Sequence, residues 1–311
     1  MTVVGPGAMP PDTRPSGVDA DREARPRPRS AGALRPLARD LSLPSVSVGT
    51  ADRQLALLVV AATAAARLTG PPGAWLVAGL IAASAFVGAL GIVAVAPGSR
   101  VQSRVGPAAG VVPAAIAAAG GLAIHAVAPG MELLLALAVI GLLVAWSVGL
   151  ERRLVLGARA PSDEDVAMVL ALSVAAAFVA FVGVGTLVEG GLARSGDSPI
   201  PVDRLVILAI ADGLVAAALG VRLARLRAAT ARNATLAGLS SGAFVALSAG
   251  ALRALAIPFL LGPALLALVF FLWDAVTGST VARRRSPRWA WELGLLAILG
   301  VAVALLNLRV A

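Results

Sequence analysis

Residues 204–222 read RLVILAIADGLVAAALGVR, and this stretch decides the class of protein. Arginine stands at both ends, and every residue between them except Asp212 is either apolar or glycine. A helix needs about 20 such residues to cross the hydrocarbon core of a bilayer. The stretch is therefore predicted to span a membrane, with Asp212 close to the bilayer centre.

From residue 54 onward the chain consists of similar apolar stretches separated by short polar turns. Of its 311 residues, 59% are hydrophobic and 14% are charged, and the mean hydropathy is +0.89. A soluble protein is about half apolar and about a quarter charged, so a soluble enzyme is excluded. We expect an all-α fold, a polytopic transmembrane bundle of about nine helices. The expected spans lie near 54–69, 74–96, 108–128, 131–150, 165–188, 204–222, 233–252, 255–277 and 289–308. The first of them is short and contains Arg67, so eight spans is the alternative count.

Residues 1–53 have a different composition, with frequent proline and many polar side chains. Such a segment buries too little apolar surface to fold, so it is predicted to be a disordered arm. The expected organisation is thus an arm at 1–53 and a transmembrane domain at 54–311.

Arginine placement predicts the orientation. All 26 basic residues are arginine, and most fall on one side if the N-terminus is cytoplasmic. Cytoplasmic loops carry the excess of positive charge, so a multi-pass protein of the cell membrane with its N-terminus inside is expected. Arginine-rich loops at 222–232 and 283–288 are candidate contacts for anionic lipids of the bilayer. A pI of about 11.6 is in the range of nucleic-acid-binding proteins, but the arginines follow the membrane topology, so no nucleic-acid partner is expected.

Asp212 is the main candidate for a functional residue. An ionisable group at membrane depth is costly and faces protein or water by default. Its neighbours Ala209, Gly213 and Ala217 have the small-residue spacing with which one helix packs closely on another. Ser241 and Ser248 share a face of the next span at a similar depth, so Asp212 is expected to meet Ser241. The pair would serve either solute transport or helix packing.

A second candidate group lies at the outer ends of the spans. His125 and Glu132 flank a tight turn, and Arg253 and Arg67 are predicted on the same side. Together they suggest an external vestibule, with ordinary interfacial charge as the simpler interpretation.

Catalytic motifs and cofactor sites are not expected. The sequence has no cysteine and one histidine, which removes thiol chemistry, bis-histidine haem ligation and the usual zinc sites. Residues 238–242 fit G-x-S-x-G but lack the strand–turn–helix setting that this motif needs, so they are interpreted as small packing residues. The acidic run at 162–165 resembles a helix capping box more than a metal site.

The sequence leaves three functions open. A transporter or permease-like protein for a small solute comes first, with Asp212 as the candidate for proton or cation coupling. A non-catalytic membrane subunit, scaffold or sensor that binds a protein partner comes second. A lipid-modifying membrane enzyme comes third, and an enzyme is the less favoured class.

Overall fold

The computed structural model is all-helical in the residues that it describes, which are 49–95, 106–156, 161–188, 191–192, 200–227, 229–255, 257, 260–281 and 294–301. The helices are α1 (Thr50–Ala66), α2 (Pro71–Val95), α3 (Val111–Ala123), α4 (Met131–Leu156), α5 (Asp163–Leu187), α6 (Val202–Leu226), α7 (Ala231–Ala254), α8 (Leu261–Val281) and α9 (294–301). The predicted all-α bundle of about nine helices is confirmed.

Seven helices are long and apolar enough to cross a membrane, so the chain is a multi-pass helical membrane protein. The seven correspond to α2 through α8. α1 has 17 residues and begins at Thr50, so residues 50–53 belong to a helix and not to the expected arm. Residues 1–48 of that arm and the arginine loop at 283–288 lie outside the described residues.

Helix ends follow local chemistry. Ser162 is the N-cap of α5: its hydroxyl accepts from the backbone N–H of Asp165, whose carboxylate accepts from the backbone N–H of Ser162. This reciprocal pair is the capping box that the acidic run predicted. Thr230 caps α7 in a similar way by accepting from the backbone N–H of Asn233. Gly130 turns the chain into α4 with a φ of 123°, which favours glycine.

The antiparallel pair of α6 and α7 is the most extensive helix contact in the described bundle. A Cβ added to Gly242 would lie 2.7 Å from the carbonyl oxygen of Gly213, and one added to Gly238 would lie 2.6 Å from that of Ala217. The two backbones therefore approach as closely as glycine permits, as the small-residue spacing predicted. We call this contact the α6–α7 seam.

The other helices pack around α3 and α5. α3 contacts α1, α2, α4, α5 and α6, and α5 also contacts α6 and α8. Large aliphatic side chains such as Leu76, Leu142 and Leu214 remain exposed on the outside of the bundle. An exposed apolar surface of this kind suits a lipid environment.

Candidate functional site

Five ion pairs join helices of the described chain, and four of them lie at one end of the bundle. That end holds the start of α1 and the final turns of α4 and α6, and we call it the Arg-rich end. The four pairs there are Asp52–Arg152, Arg153–Asp165, Glu151–Arg222 and Asp274–Arg227. The fifth pair, Asp212–Arg253, lies toward the opposite end, within the membrane-spanning length of α6 and α7.

Arg253 binds three other segments at once. Its Nη2 donates to Asp212 Oδ2 at 2.7 Å and its Nε donates to the same oxygen at 3.1 Å. Its Nη1 donates to the carbonyl oxygen of Gly191 at 2.5 Å, and Nη2 also reaches that of Phe181 at 3.2 Å. We call these four residues the Arg253 clamp, because they tie α5, α6, α7 and the connection before α6 together.

The Arg253 clamp is a packed contact between helices. The Asp212 side chain is 0% exposed and that of Arg253 is 5% exposed. The void beside Arg253 has a volume of about 10 Å³, which is room for about one water molecule. Asp212 Oδ1 has no hydrogen-bond partner among the described residues. A buried charge needs a partner, and here a single arginine supplies it.

The clamp depends on two glycines. A Cβ added to Gly185 would lie 3.0 Å from Arg253 Nη1, so glycine leaves the space through which the guanidinium passes. A Cβ added to Gly191 would lie 2.5 Å from the carbonyl oxygen of Gly185. These small residues let the backbone carbonyls come within reach of Arg253.

The structure brings Asp212 together with Arg253 and not with Ser241. Ser241 packs against Gly220, which lies eight residues, or about 12 Å, further along α6 than Asp212. The Ser248 hydroxyl donates to the carbonyl oxygen of Phe244 on its own helix at 2.9 Å. The expected contact between Asp212 and Ser241 is therefore not formed, although Asp212 does point into the bundle.

The expected vestibule of His125, Glu132 and Arg253 is not assembled either. Arg253 is buried in the clamp, and Arg67 donates at 2.7 Å to the carbonyl oxygens of Ile124 and Val127. Glu132 is exposed at the start of α4. No hydrogen bond or ion pair joins His125 to Glu132 within the described chain, where Nε2 of His125 has no partner.

Sequence reasoning missed the buried pair Glu151–Arg222. Both side chains are 1% exposed, and the arginine fork holds the carboxylate through Nε at 2.8 Å and through Nη2. Residue 151 was expected to begin a loop, but α4 continues to Leu156. The signal was present in the apolar residues Leu154, Val155 and Leu156, which extend the helical pattern past the two arginines.

A cavity of about 300 Å³ opens between α6, α7 and α8 at the Arg-rich end. The pair Arg227–Asp274 lines it near the end of the bundle, and Ser241 lines it further in. Ser241 is ten residues into α7, so the cavity reaches about 15 Å along that helix. The Ser241 hydroxyl is buried and has no hydrogen-bond partner in the described part of the chain. This oxygen is closed to water, so the cavity reaches the Ser241 side chain without exposing its hydroxyl oxygen.

Neither metal-binding side chains in the described residues nor similarity to known proteins identifies the function of this cavity. The described residues contain no group of three or more His, Cys, Asp or Glu that is placed to hold a metal ion. No protein-family model, curated protein or solved structure matches this chain.

Proposed function

We propose that this protein is a carrier for a small polar solute, and that the cavity between α6, α7 and α8 is its binding site. One observation carries the proposal: a cavity of about 300 Å³ enters the helical bundle from one end, and it is lined by the Arg227–Asp274 pair and, further in, by the Ser241 side chain. Solute sites are concave, mostly apolar and furnished with a few polar groups, and their usual volumes begin at about 300 Å³.

The Arg253 clamp supports the proposal from the other end of the bundle. A carrier must close one side of its binding site while the other side is open. The cavity opens at the Arg-rich end, and the clamp ties three helices together beyond the inner limit of the cavity. In this proposal the structure corresponds to the state that is open at the Arg-rich end.

Asp212 then acts as a positioning residue. Coupling to protons or cations requires a carboxylate that the ion can reach, and the Asp212 side chain is 0% exposed and does not line the cavity. We therefore place the solute at the Arg227–Asp274 end of α6 and assign the clamp the closure of the opposite end.

We also propose that the Arg-rich end faces the cytoplasm of a cell that keeps this chain in its cytoplasmic membrane. Arg152, Arg153, Arg225, Arg227 and Arg232 cluster there, and cytoplasmic ends of membrane proteins carry the excess of arginine. The same arginines are proposed contacts for anionic lipid head groups.

Uptake by proteoliposomes tests the carrier. Ala237 lines the cavity, so Ala237→Leu should narrow the cavity and reduce solute uptake at least tenfold. Ala243→Leu is the matched control, because Ala243 lies exposed on the outside of the same helix. If Ala237→Leu transports every accepted solute at the wild-type rate, the cavity is not the binding site.

A second candidate is a non-catalytic membrane subunit. The observation in its favour is that, among the described residues, every buried charged side chain takes part in an ion pair that joins two helices. Stable co-purification of a partner protein that is lost when residues 1–48 are deleted, together with no solute uptake, would favour this candidate over the carrier.

A further inference from the structure

We infer that the cavity between α6, α7 and α8 binds a zwitterionic solute, the class to which free amino acids belong, by exchange with the Arg227–Asp274 pair. This inference rests on the proposed carrier function, which leaves the class of solute open. Two observations support it: the charges that line the cavity and the geometry of their pairing.

The cavity holds one cation and one anion among its lining residues, so its net charge is zero. Arg227 Nη1 donates to Asp274 Oδ1 at 2.8 Å, and Nη2 donates to Oδ2 at 2.5 Å. Both groups line the cavity, and the side chains are 17% and 6% exposed. They are therefore largely withdrawn from water, yet they remain at the cavity wall.

The pairing is a planar fork of two parallel hydrogen bonds, which is the geometry in which arginine recognises any carboxylate. A solute carboxylate can take the place of Asp274 on Arg227 without a change in geometry. Asp274 then needs a new cation, and a solute ammonium supplies it. One ion pair becomes two, and no charge is left unpaired.

Solutes of other charge classes fit less well. An anion that binds Arg227 leaves the Asp274 carboxylate buried without a cation, and a cation that binds Asp274 leaves Arg227 without an anion. Leaving one member of a buried pair uncompensated is strongly unfavourable. An uncharged solute has no means of separating the pair at all. Only a solute that carries both charges preserves the neutrality of the cavity.

The inner end of the cavity leaves room for the rest of the solute. Gly220, Ala237 and Ser241 line this end, and the small side chains of the first two leave space at the wall. The side chain of the zwitterion is therefore expected to lie toward Ser241.

The binding test uses the full-length wild-type protein in detergent micelles. Pools of the twenty common L-amino acids, of organic anions, of organic cations and of sugars are compared by the thermal unfolding temperature. We expect an amino-acid pool to raise this temperature and the other pools to leave it unchanged. For the amino acid responsible, the analogues that lack either the ammonium or the carboxylate should bind at least tenfold more weakly.

Asp274→Asn then tests the role of the carboxylate. This variant should lose at least tenfold in affinity for the zwitterion, and it should bind the carboxylate analogue that lacks the ammonium better than the wild type does. Asp165→Asn is the control, because Asp165 pairs with Arg153 on the surface and does not line the cavity. Its affinities should equal those of the wild type.

The outcomes separate this inference from the carrier function. If a solute of another charge class binds and is transported, and Ala237→Leu abolishes both, the carrier stands and the zwitterion inference is wrong. If no pool binds and no solute is taken up, both are wrong. If Asp274→Asn does not fold, the comparison of the three analogues on the wild-type protein still decides the inference.

Discussion

Replacement of Arg253 by methionine should lower the free energy of unfolding by about 3–5 kcal/mol. In the native structure Asp212 Oδ2 accepts both of its hydrogen bonds from Arg253, and Oδ1 has no partner in the described chain. The Asp212 side chain is 0% exposed, so water does not replace the lost donors. The substitution therefore leaves a carboxylate buried and unpaired, which is the costly way to break an ion pair.

Removing both charges should lower the free energy of unfolding less than removing Arg253 alone. In Asp212→Leu/Arg253→Met the buried charge is gone, and the remaining loss is that of the donors to the carbonyl oxygens of Gly191 and Phe181. The carbonyl oxygen of Gly191 is then left unsatisfied, at a cost of about 1–3 kcal/mol. We therefore expect the double variant to recover about 2 kcal/mol relative to Arg253→Met. Asp212→Asn should also lower the free energy of unfolding less than Arg253→Met does, because Arg253 keeps both of its carbonyl acceptors.

The measurement is reversible unfolding in mixed micelles, followed by the fluorescence of the five tryptophans. Ser248→Ala is the control on the same helix, because the Ser248 hydroxyl bonds only within α7. It should lie within about 0.5 kcal/mol of the wild type, as surface substitutions usually do. An effect of Arg253→Met as small as that of Ser248→Ala would refute the reasoning. So would a double variant whose loss of unfolding free energy equals the losses of Asp212→Leu and Arg253→Met added together, since additivity means that the residues do not interact.

Three further predictions follow from the other contacts. Glu151→Gln should lower the free energy of unfolding by about 3–5 kcal/mol in the same assay, because its arginine partner is left as a buried cation, and a loss below 1 kcal/mol would contradict the pairing. Gly242→Ala should lower the free energy of unfolding by about 1–3 kcal/mol, because the new methyl group forces the α6–α7 seam apart. Gly79→Ala is the control and should leave the free energy of unfolding unchanged, because its new Cβ meets nothing within 4 Å. Equal effects of the two variants would mean that the seam is not tightly packed. The sequence has no cysteine, so a single cysteine can be placed at Glu164 or at Ala128. The two should react with a membrane-impermeant maleimide from opposite sides of oriented vesicles, and the one at Glu164 should react from the cytoplasmic side. The reverse result would overturn the proposed orientation.

The α6–α7 seam was predictable because its signal is local. Small residues at spacings of four mark a close helix contact whatever the partner helix is, and the antiparallel arrangement follows from the short connection between the spans. The buried position of Asp212 was predictable for the same reason, since it lies beside Gly213 on that face.

The partner of Asp212 was not predicted, because Arg253 was assigned to a surface by its position near the end of a span. The helical face on which Arg253 lies indicates a buried position instead. Arg253 follows Gly242 by eleven residues, or about three turns, so it continues the buried face of α7 that includes Ala249. Which acid it binds depends on the depth of α6 relative to α7, and no local pattern sets that depth.

The ion pairs also indicate which helix is free to move in the proposed carrier. α6 is held near one end by Glu151–Arg222 and further along by the Arg253 clamp, and both attachments are buried away from the cavity. In the part of the chain that the structure describes, charge holds α8 through Asp274 and Arg227, and this pair lines the cavity. A solute that takes over the Arg227–Asp274 pair replaces this direct link by a longer one through the solute, whereas the attachments of α6 stay intact. We therefore expect solute binding to shift α8 relative to α6 and α7, and the α6–α7 seam to move as one rigid unit.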